Sequence, residues 1–458
     1  MSGTLRPAEP GRRMAVIGSG IAGLSAAWLL SQRHEVVLYE AESRPGGHSN
    51  TVELPEKGLS VDTGFIVYNE LNYPNLVALF AHLGVATEPS DMSLAVSLHG
   101  GRVEYCGSGL NGLIGRRGNI VSPRFWAMLK DLTRFYREAP SLLGAGRTES
   151  LTLAEYLEEG RYGAAFVEDH LLPMAGAIWS ASPAEIGAFP ALAFVRFFHS
   201  HGLLLLSGRP PWRTVSGGSR RYVERIVADS GAELRGGTKV AEVTRKEDGV
   251  TVRDEAGHAD FFDAAVIATH ADQALALLGD ADPVEWTSLS AFRYSANRAV
   301  LHQDEALMPT RRRVWSSWNV IDDRLKGERW GDDGRGGEDR PLSVTYWMNR
   351  LQNLPPAHPL FVSLNPPRPV RADRTIAAFD YTHPVFDQAA IAAQADLWRL
   401  QGRRRTYFAG SYFGYGFHED ALQAGLAAAE AAGGVRRPWK VADESGRISL
   451  SPHLLAAE

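Results

Sequence analysis

Cysteine is almost missing from this chain of 458 residues. The one present, Cys106, permits no intrachain disulfide and no cysteine-based metal cluster. Lysine is scarce as well: none lies between Lys246 and Lys326, nor between Lys326 and Lys440. No apolar run reads as a membrane span. Met14–Leu30 is broken by three glycines at special spacing, and Leu203–Leu206 is far too short. Residues Met1–Arg13 are polar, carry Pro7, Pro10 and Gly11, and lack the apolar run of a signal peptide, so a cytoplasmic protein is expected. An excess of positive charge is absent too. The net charge of −5 gives no electrostatic case for nucleic-acid binding. With no third ligand near His199 and His201, no metal site is expected. Internal repeats are not found.

The chain is too long for one simple core, so two intertwined domains are expected. Met14–Ile17 reads as a short buried strand, Gly18–Gly23 as a turn, Leu24–Leu30 as the start of a helix, and Glu35–Tyr39 as a second strand. A hairpin is expected around Thr51–Phe65, and helices over Pro74–Leu83, Pro123–Glu138, Phe166–Ile178 and Pro190–Phe198. Thr152 with Glu155 three residues on has the pattern of a capping box. After Pro210 the character changes: Ser219–Ala228 is helical, and Val240–Thr244, Val250–Arg253 and Asp263–Ala268 alternate as strands. Ser295–His302, Ser343–Asn349 and Arg405–Ala409 also read as strands, Gly327–Arg340 as a mobile surface loop, and Asp420–Ala432 as an Ala-rich helix ended by Gly433-Gly434.

The chemistry begins at Gly18-Ser19-Gly20-Ile21-Ala22-Gly23, directly after a strand and opening a helix. Gly18 allows the tight turn, Gly20 lets the backbone approach a pyrophosphate, and Gly23 lets helix and strand pack closely. Free N–H groups and the helix dipole then favour phosphate charge. Glu40 ends the second strand, where a carboxylate can accept both hydroxyls of a ribose. This constellation implies a dinucleotide without choosing which one.

The residues that follow make the choice. Glu40-Ala41-Glu42-Ser43-Arg44-Pro45-Gly46-Gly47 resembles the extended fingerprint of flavoproteins in the glutathione-reductase and amine-oxidase superfamily. The resemblance implies FAD, with Arg44 near its phosphates, Gly46-Gly47 turning under the flavin and His48 over it. Val240, within Lys239–Val243, matches the strand that contacts adenine, and Ala268-Thr269 matches the crossing beside the cofactor. Tyr407-Phe408-Ala409-Gly410-Ser411, then Gly414, Gly416 and Asp420–Gly425, are similar to the superfamily's C-terminal flavin segment, where many relatives have an acidic residue in place of Ser411. Val61–Asn69, Glu88–Ser93, Phe197–Leu203, Trp212–Val215, Thr345–Gln352 and Tyr412–Glu419 resemble one bacterial family, the predicted NAD/FAD-binding or FAD-dependent amine-oxidase-like oxidoreductases. That family is similar to the flavoprotein part fused in plants to cyclopropane-fatty-acyl-phospholipid synthase. Its bacterial genes often lie beside such lipid methyltransferases.

The resemblance implies an α/β fold. A discontinuous Rossmann-like FAD domain would occupy 12–105, 210–275 and 400–436, and a mixed sheet-plus-helices substrate domain 106–209 and 276–399, with a tail at 437–458. It implies cofactor contacts from Gly18, Gly20, Ile21, Ala22, Gly23, Glu40, Ala41, Arg44, Gly46, Gly47, His48, Thr63, Gly64, Val240, Ala268, Gly410, Ser411, Gly416 and Ala421. No Cys lies near the C-terminal flavin segment, so the FAD is expected to be non-covalent. Tyr412, Phe413, Tyr415, Phe417, Trp347 and Trp179 are candidate walls for a substrate. His418 and His199 are candidate bases, with Tyr412 and Tyr415 beside them. Helix Pro123–Glu138 joins aromatic and apolar residues to cationic flanks. That suits either an interfacial helix contacting the inner face of a membrane or plain packing on the substrate domain. The function implied is oxidation or desaturation of a membrane-lipid acyl chain, alongside a lipid methyltransferase. Many amine oxidases place a Lys near the flavin; the scarcity of Lys weighs against oxidation of a small amine, the second reading. A flavoprotein scaffold without catalysis is the third.

Overall fold

The computed structural model describes residues 11–144, 151–322 and 342–450. Five parallel strands form a sheet in the spatial order Glu233–Arg235, Glu35–Tyr39, Arg13–Ile17, Ala264–Ile267 and Thr406–Phe408. Its central strands read as unbroken apolar runs because both faces are covered. Helix Ile21–Leu30 is buried along its whole length, as is most of helix His418–Gly433, and the two pack against each other. The expected helix from Leu24 begins three residues earlier, at the glycine turn itself. Strands Val240–Arg245, Val250–Asp254 and Ala259–Phe262 form an antiparallel sheet beside this layer.

A second, seven-stranded sheet runs in the order Thr375–Val385, Arg293–His302, Phe361–Leu364, Ser343–Trp347, Trp318–Asp322, Leu94–Leu98 and Val103–Cys106. All its pairs are antiparallel except Trp318–Asp322 with Leu94–Leu98. Leu94–Leu98 thus pairs with strands of the expected substrate region, although it lies within 12–105. Helices account for most of the chain from Gly109 to Ser200. Helix Pro123–Glu138 has its expected bounds and turns Phe125, Met128, Leu132, Phe135 and Tyr136 into the core. The Thr152–Glu155 capping box is formed in both directions, with Glu155 N–H to Thr152 Oγ1 at 3.2 Å and Thr152 N–H to Glu155 Oε2 at 2.8 Å. The expected helix over Phe166–Ile178 carries a π-helical turn at Val167–Leu171. Among the described residues no helix is long and apolar enough to cross a membrane. The Gly327–Arg340 loop and the last eight residues lie outside the described residues.

The stretch 437–450, expected to be a tail, is instead tied into the core. Arg437 donates to both carboxylate oxygens of Glu430 at 2.9 Å and to Asn75 Oδ1 at 2.9 Å. Trp439 stacks on Trp28 with ring centroids 5.7 Å apart. Arg447 pairs with the fully buried Asp420 at 2.6 Å. Asp420 in turn accepts the N–H groups of Tyr415 at 3.0 Å and Phe417 at 2.7 Å, fixing the turn that enters helix His418–Gly433. Its neighbour Glu419 accepts from the N–H groups of Asn75 and Leu76, each at 3.0 Å, and so caps helix Pro74–Leu83 from a distance. Removing Arg447 strands a buried carboxylate. Arg447→Ala is therefore expected to lower unfolding free energy by about 3–5 kcal/mol in a denaturant titration. A loss under about 1 kcal/mol would mean that 437–450 is not anchored as described.

Candidate functional site

The carboxyl ends of the parallel strands open into a cavity of about 870 Å³. Ligands of open α/β sheets bind at these strand ends, and the volume is near the upper end of roughly 300–1,000 Å³ for small-molecule sites. Ile17, Tyr39, Glu40, Ala268 and Gly410 mark the strand ends on its wall. Ile21 and Ala22 open one helix onto it, and His418 and Ala421 open the other. Two helix N-termini therefore converge on one cavity, each with unpaired N–H groups and the positive end of a dipole.

The glycines divide into two kinds. Gly18 has φ +97° and lies against the Ala268 carbonyl, while a Cβ on Gly23 would fall 1.8 Å from the Gly18 carbonyl oxygen. Gly23 does not line the cavity; it makes the packing behind it. Gly20 has ordinary φ, and a Cβ there would meet no protein atom within 4 Å, so it would project into open space on the cavity wall. Glu40 is held at the rim: its Oε2 accepts the Ser19 N–H at 3.0 Å, and its Oε1 accepts the Glu42 N–H at 2.8 Å.

Of the other residues expected at the cofactor, Ala41, Gly46, Gly47, His48, Thr63, Gly64, Val240, Ser411 and Gly416 all line the same cavity. Arg44 does not. Its guanidinium donates to the Gly47 carbonyl at 2.9 Å and pairs with Glu42 at 3.1 Å, so it holds the loop rather than facing the cavity. Of the expected wall residues, Tyr412, Tyr415, Phe417 and Trp179 line the cavity; Trp347 and Phe413 do not.

The candidate bases fare differently. His199 is exposed and outside the lining, because helix Ala191–Ser200 turns it to the surface. His201, just past the helix end, is buried and lines the cavity. His418 also lines it, but its Nε2 meets the Tyr222 hydroxyl at 2.7 Å and its ring stacks on Phe65 at 3.8 Å. Its Nε2 is thus already engaged, and burial pushes its pKa down to about 3. Burial likewise lowers His201 to about 3 and His383 to about 4. It lowers His270, and drives His48 well below its ordinary value with help from the imidazoles of His383 and His270. The cavity therefore carries a set of neutral rings.

Sequence reasoning missed the group around His48. Its ring stacks on Tyr381 at 4.9 Å and lies 5.4 Å from His383. Tyr381 is fixed by Asn50 and Thr63, both at 2.9 Å. A signal existed: Tyr381 and His383 are two apart in one strand and so share a face. Several buried polar atoms on cavity residues have no partner, among them His48 Nε2, His201 Nε2, Tyr412 Oη and the indole nitrogens of Trp179 and Trp318. Native interiors rarely leave such atoms unsatisfied, so a ligand with polar groups fits here. Among the described residues no group of three or more His, Cys, Asp or Glu could hold a metal.

Residues 21–356 match the model of the family described as flavin containing amine oxidoreductase. A protein named as a flavin-containing monoamine oxidase of Mycobacterium tuberculosis is 26% identical over 256 residues, 54% of this chain and 54% of that relative. The chain thus spans about half the length of that relative. Protoporphyrinogen oxidase of Bos taurus is 31% identical over 136 residues, 27% of this chain and 28% of the relative. Among solved structures, a putrescine oxidase redesigned in its cofactor binding matches at TM-score 0.67 and 16% identity, covering 92% of this chain and 98% of that one. A fatty acid isomerase from P. acnes that produces CLA matches at TM-score 0.62 and 16% identity, covering 90% and 97%. These structural likenesses show the fold.

The cofactor is FAD, and the cradle suits it: a glycine wall for a pyrophosphate, a carboxylate at the ribose position, two helix dipoles and unpartnered polar atoms. A paired substitution separates binding from folding. Gly20→Val is expected to fold with an unchanged melting temperature and to weaken FAD binding at least tenfold, about 1.4 kcal/mol, by flavin fluorescence titration. Gly23→Val is expected not to fold at all. Full FAD affinity in Gly20→Val would move the pyrophosphate elsewhere.

Proposed function

Because the chain belongs to the flavin-containing amine oxidoreductase family and is an FAD-dependent oxidoreductase, we propose that it oxidises or desaturates a fatty acyl chain. The fold itself does not choose a substrate: the proteins that share it are named for a diamine and for a fatty acid. The observation that carries the reading is the charge of the lining. Among the described residues, every carboxylate on the cavity, Glu40, Glu42 and Glu255, lies at the dinucleotide end, as does the one ammonium, Lys239. The other end is walled by Met92, Ile178, Trp179, Phe197, Leu203, Trp212, Val362 and Leu364. An ammonium desolvated there would have no carboxylate partner, whereas an acyl chain gains by burial.

When bound, FAD supplies a hydride acceptor. The protein holds the chain by apolar contact, keeps water out and takes up the proton that leaves with the second C–H bond. His201 suits that last task. Its Nδ1 lies 2.9 Å from the Phe197 carbonyl and therefore carries the hydrogen, leaving Nε2 as an unpartnered lone pair. Stacking on Phe197 at 3.9 Å keeps the ring in place. The free indole N–H groups of Trp179 and Trp318 are donors for an ester or carboxyl end. A lipid methyltransferase acting on the same chains is the partner implied by the sequence resemblance.

One observation favours a second reading. Trp318 and Tyr346 meet edge to face at 4.9 Å on the cavity wall, and aromatic faces can hold the ammonium of a small amine.

The test is anaerobic reduction of the bound flavin, followed by absorbance, with detergent-dispersed acyl phospholipids and with a panel of small amines. The acyl lipids are expected to bleach the flavin and the amines to leave it oxidised; the reverse pattern would establish the amine reading. His201→Gln is expected to slow bleaching by about 10²–10³-fold while leaving FAD affinity unchanged. An unaltered rate would remove His201 from proton transfer.

A further inference from the structure

We propose that the loop Leu203–Leu206 seats the protein on an anionic lipid bilayer and delivers an acyl chain from it to the cavity, an inference that rests on the acyl-chain reading above. The stretch Arg196–Leu206 has an inner and an outer side. Phe197, His201 and Leu203 line the cavity. Arg196 and His199 face outward, and among the described residues their side chains make no ion pair or hydrogen bond. Gly202, at φ +65°, then turns the chain out of the helix, and Leu205 and Leu206 stand 46% and 70% exposed. Two adjacent leucines thus stand in water within three residues of the cavity-lining Leu203.

The surrounding charge selects the partner. No Asp or Glu occurs in sequence between Glu185 and Glu224. Farther along, Arg213 and Arg220 are paired with the distant carboxylates Glu70 and Glu53, and Arg221 with Glu224 in its own helix. Arg196 and Arg209 are exposed and have no carboxylate partner among the described residues. Arg209 donates to the Leu205 carbonyl at 2.8 Å and also lies beside Tyr136 and His170, so its charge is held at the base of this loop. Leucines flanked by unneutralised arginines match the interface of a bilayer rich in anionic headgroups, where apolar side chains enter the acyl boundary and cations meet phosphate. A second apolar patch, Val121 and Trp126, is also exposed, but neither residue lines the cavity.

The experiment is co-sedimentation of the FAD-loaded protein with vesicles of phosphatidylcholine alone or mixed with phosphatidylglycerol. Binding is expected to the mixed vesicles, to weaken with added salt, and to fall on the order of tenfold or more in the double variant Leu205→Ser, Leu206→Ser. Val121→Ser with Trp126→Ser is expected to bind as the unaltered protein does. The proposal is overturned if the unaltered protein does not bind mixed vesicles, if the leucine variant binds equally well, or if only the Val121 and Trp126 variant loses binding. Flavin bleaching by detergent-dispersed acyl lipid reads the functional proposal separately. Bleaching without vesicle binding sinks the docking surface and spares the acyl-chain reading; leucine-dependent vesicle binding without bleaching does the opposite.

Discussion

Backbone-to-backbone contact at three glycines holds this molecule in working shape. A Cβ on Gly23 would strike the Gly18 carbonyl, and one on Gly425 would fall 2.2 Å from the Ala22 carbonyl oxygen. Helix Ile21–Leu30 can therefore lie directly on its own strand, and helix His418–Gly433 directly on it. A larger residue at either place would push the helices apart, and interiors packed like crystals leave no slack to absorb that shift. The contact brings segments some 400 positions apart in sequence to the same strand ends. It aims both helix N-termini at one cavity, and the phosphate site follows from it.

The second consequence is electrostatic. Among the described residues, charge is admitted to the cavity only at the dinucleotide end, where Glu40 is held by the N–H groups of Ser19 and Glu42. Elsewhere the titratable groups on the described lining are phenols and imidazoles; burial raises Tyr346, Tyr381 and Tyr412 and keeps the imidazoles neutral by lowering His48, His201, His270, His383 and His418. A neutral, largely apolar pocket suits removal of hydrogen from a carbon that carries no charge. The acidic groups that enter the core nearby are taken up elsewhere: Glu419 meets Asn75, and Asp420 meets Arg447 of the stretch 437–450.

Features set by neighbours in sequence were legible in the sequence. The glycine turn, the bounds of helices Pro74–Leu83 and Pro123–Glu138, and the Thr152–Glu155 cap all depend on residues within a few positions. What was not legible depends on partners far away. His199 and His201 look equivalent on paper; which of them faces inward is decided where the helix stops, at Ser200 and the Gly202 turn. The stretch 437–450 reads as polar and tail-like because its burial is conferred by Trp28, Asn75, Asp420 and Glu430. Arg44 has the spacing of a phosphate contact, yet local geometry gives it the Gly47 carbonyl. Helix Pro123–Glu138 could be read as packed or interfacial. Its large apolar side chains turn inward, except Trp126.

The central claim is that one cavity carries a dinucleotide at its charged end and an acyl chain at its neutral end. The most direct measurement is a crystal structure of the FAD-loaded protein soaked with a phospholipid. The account predicts pyrophosphate density against Gly20 and acyl carbons among Trp179, Phe197 and Leu203, with the flavin between them. Acyl density outside this cavity, or a flavin ring filling the space between Trp179 and Leu203, would contradict it.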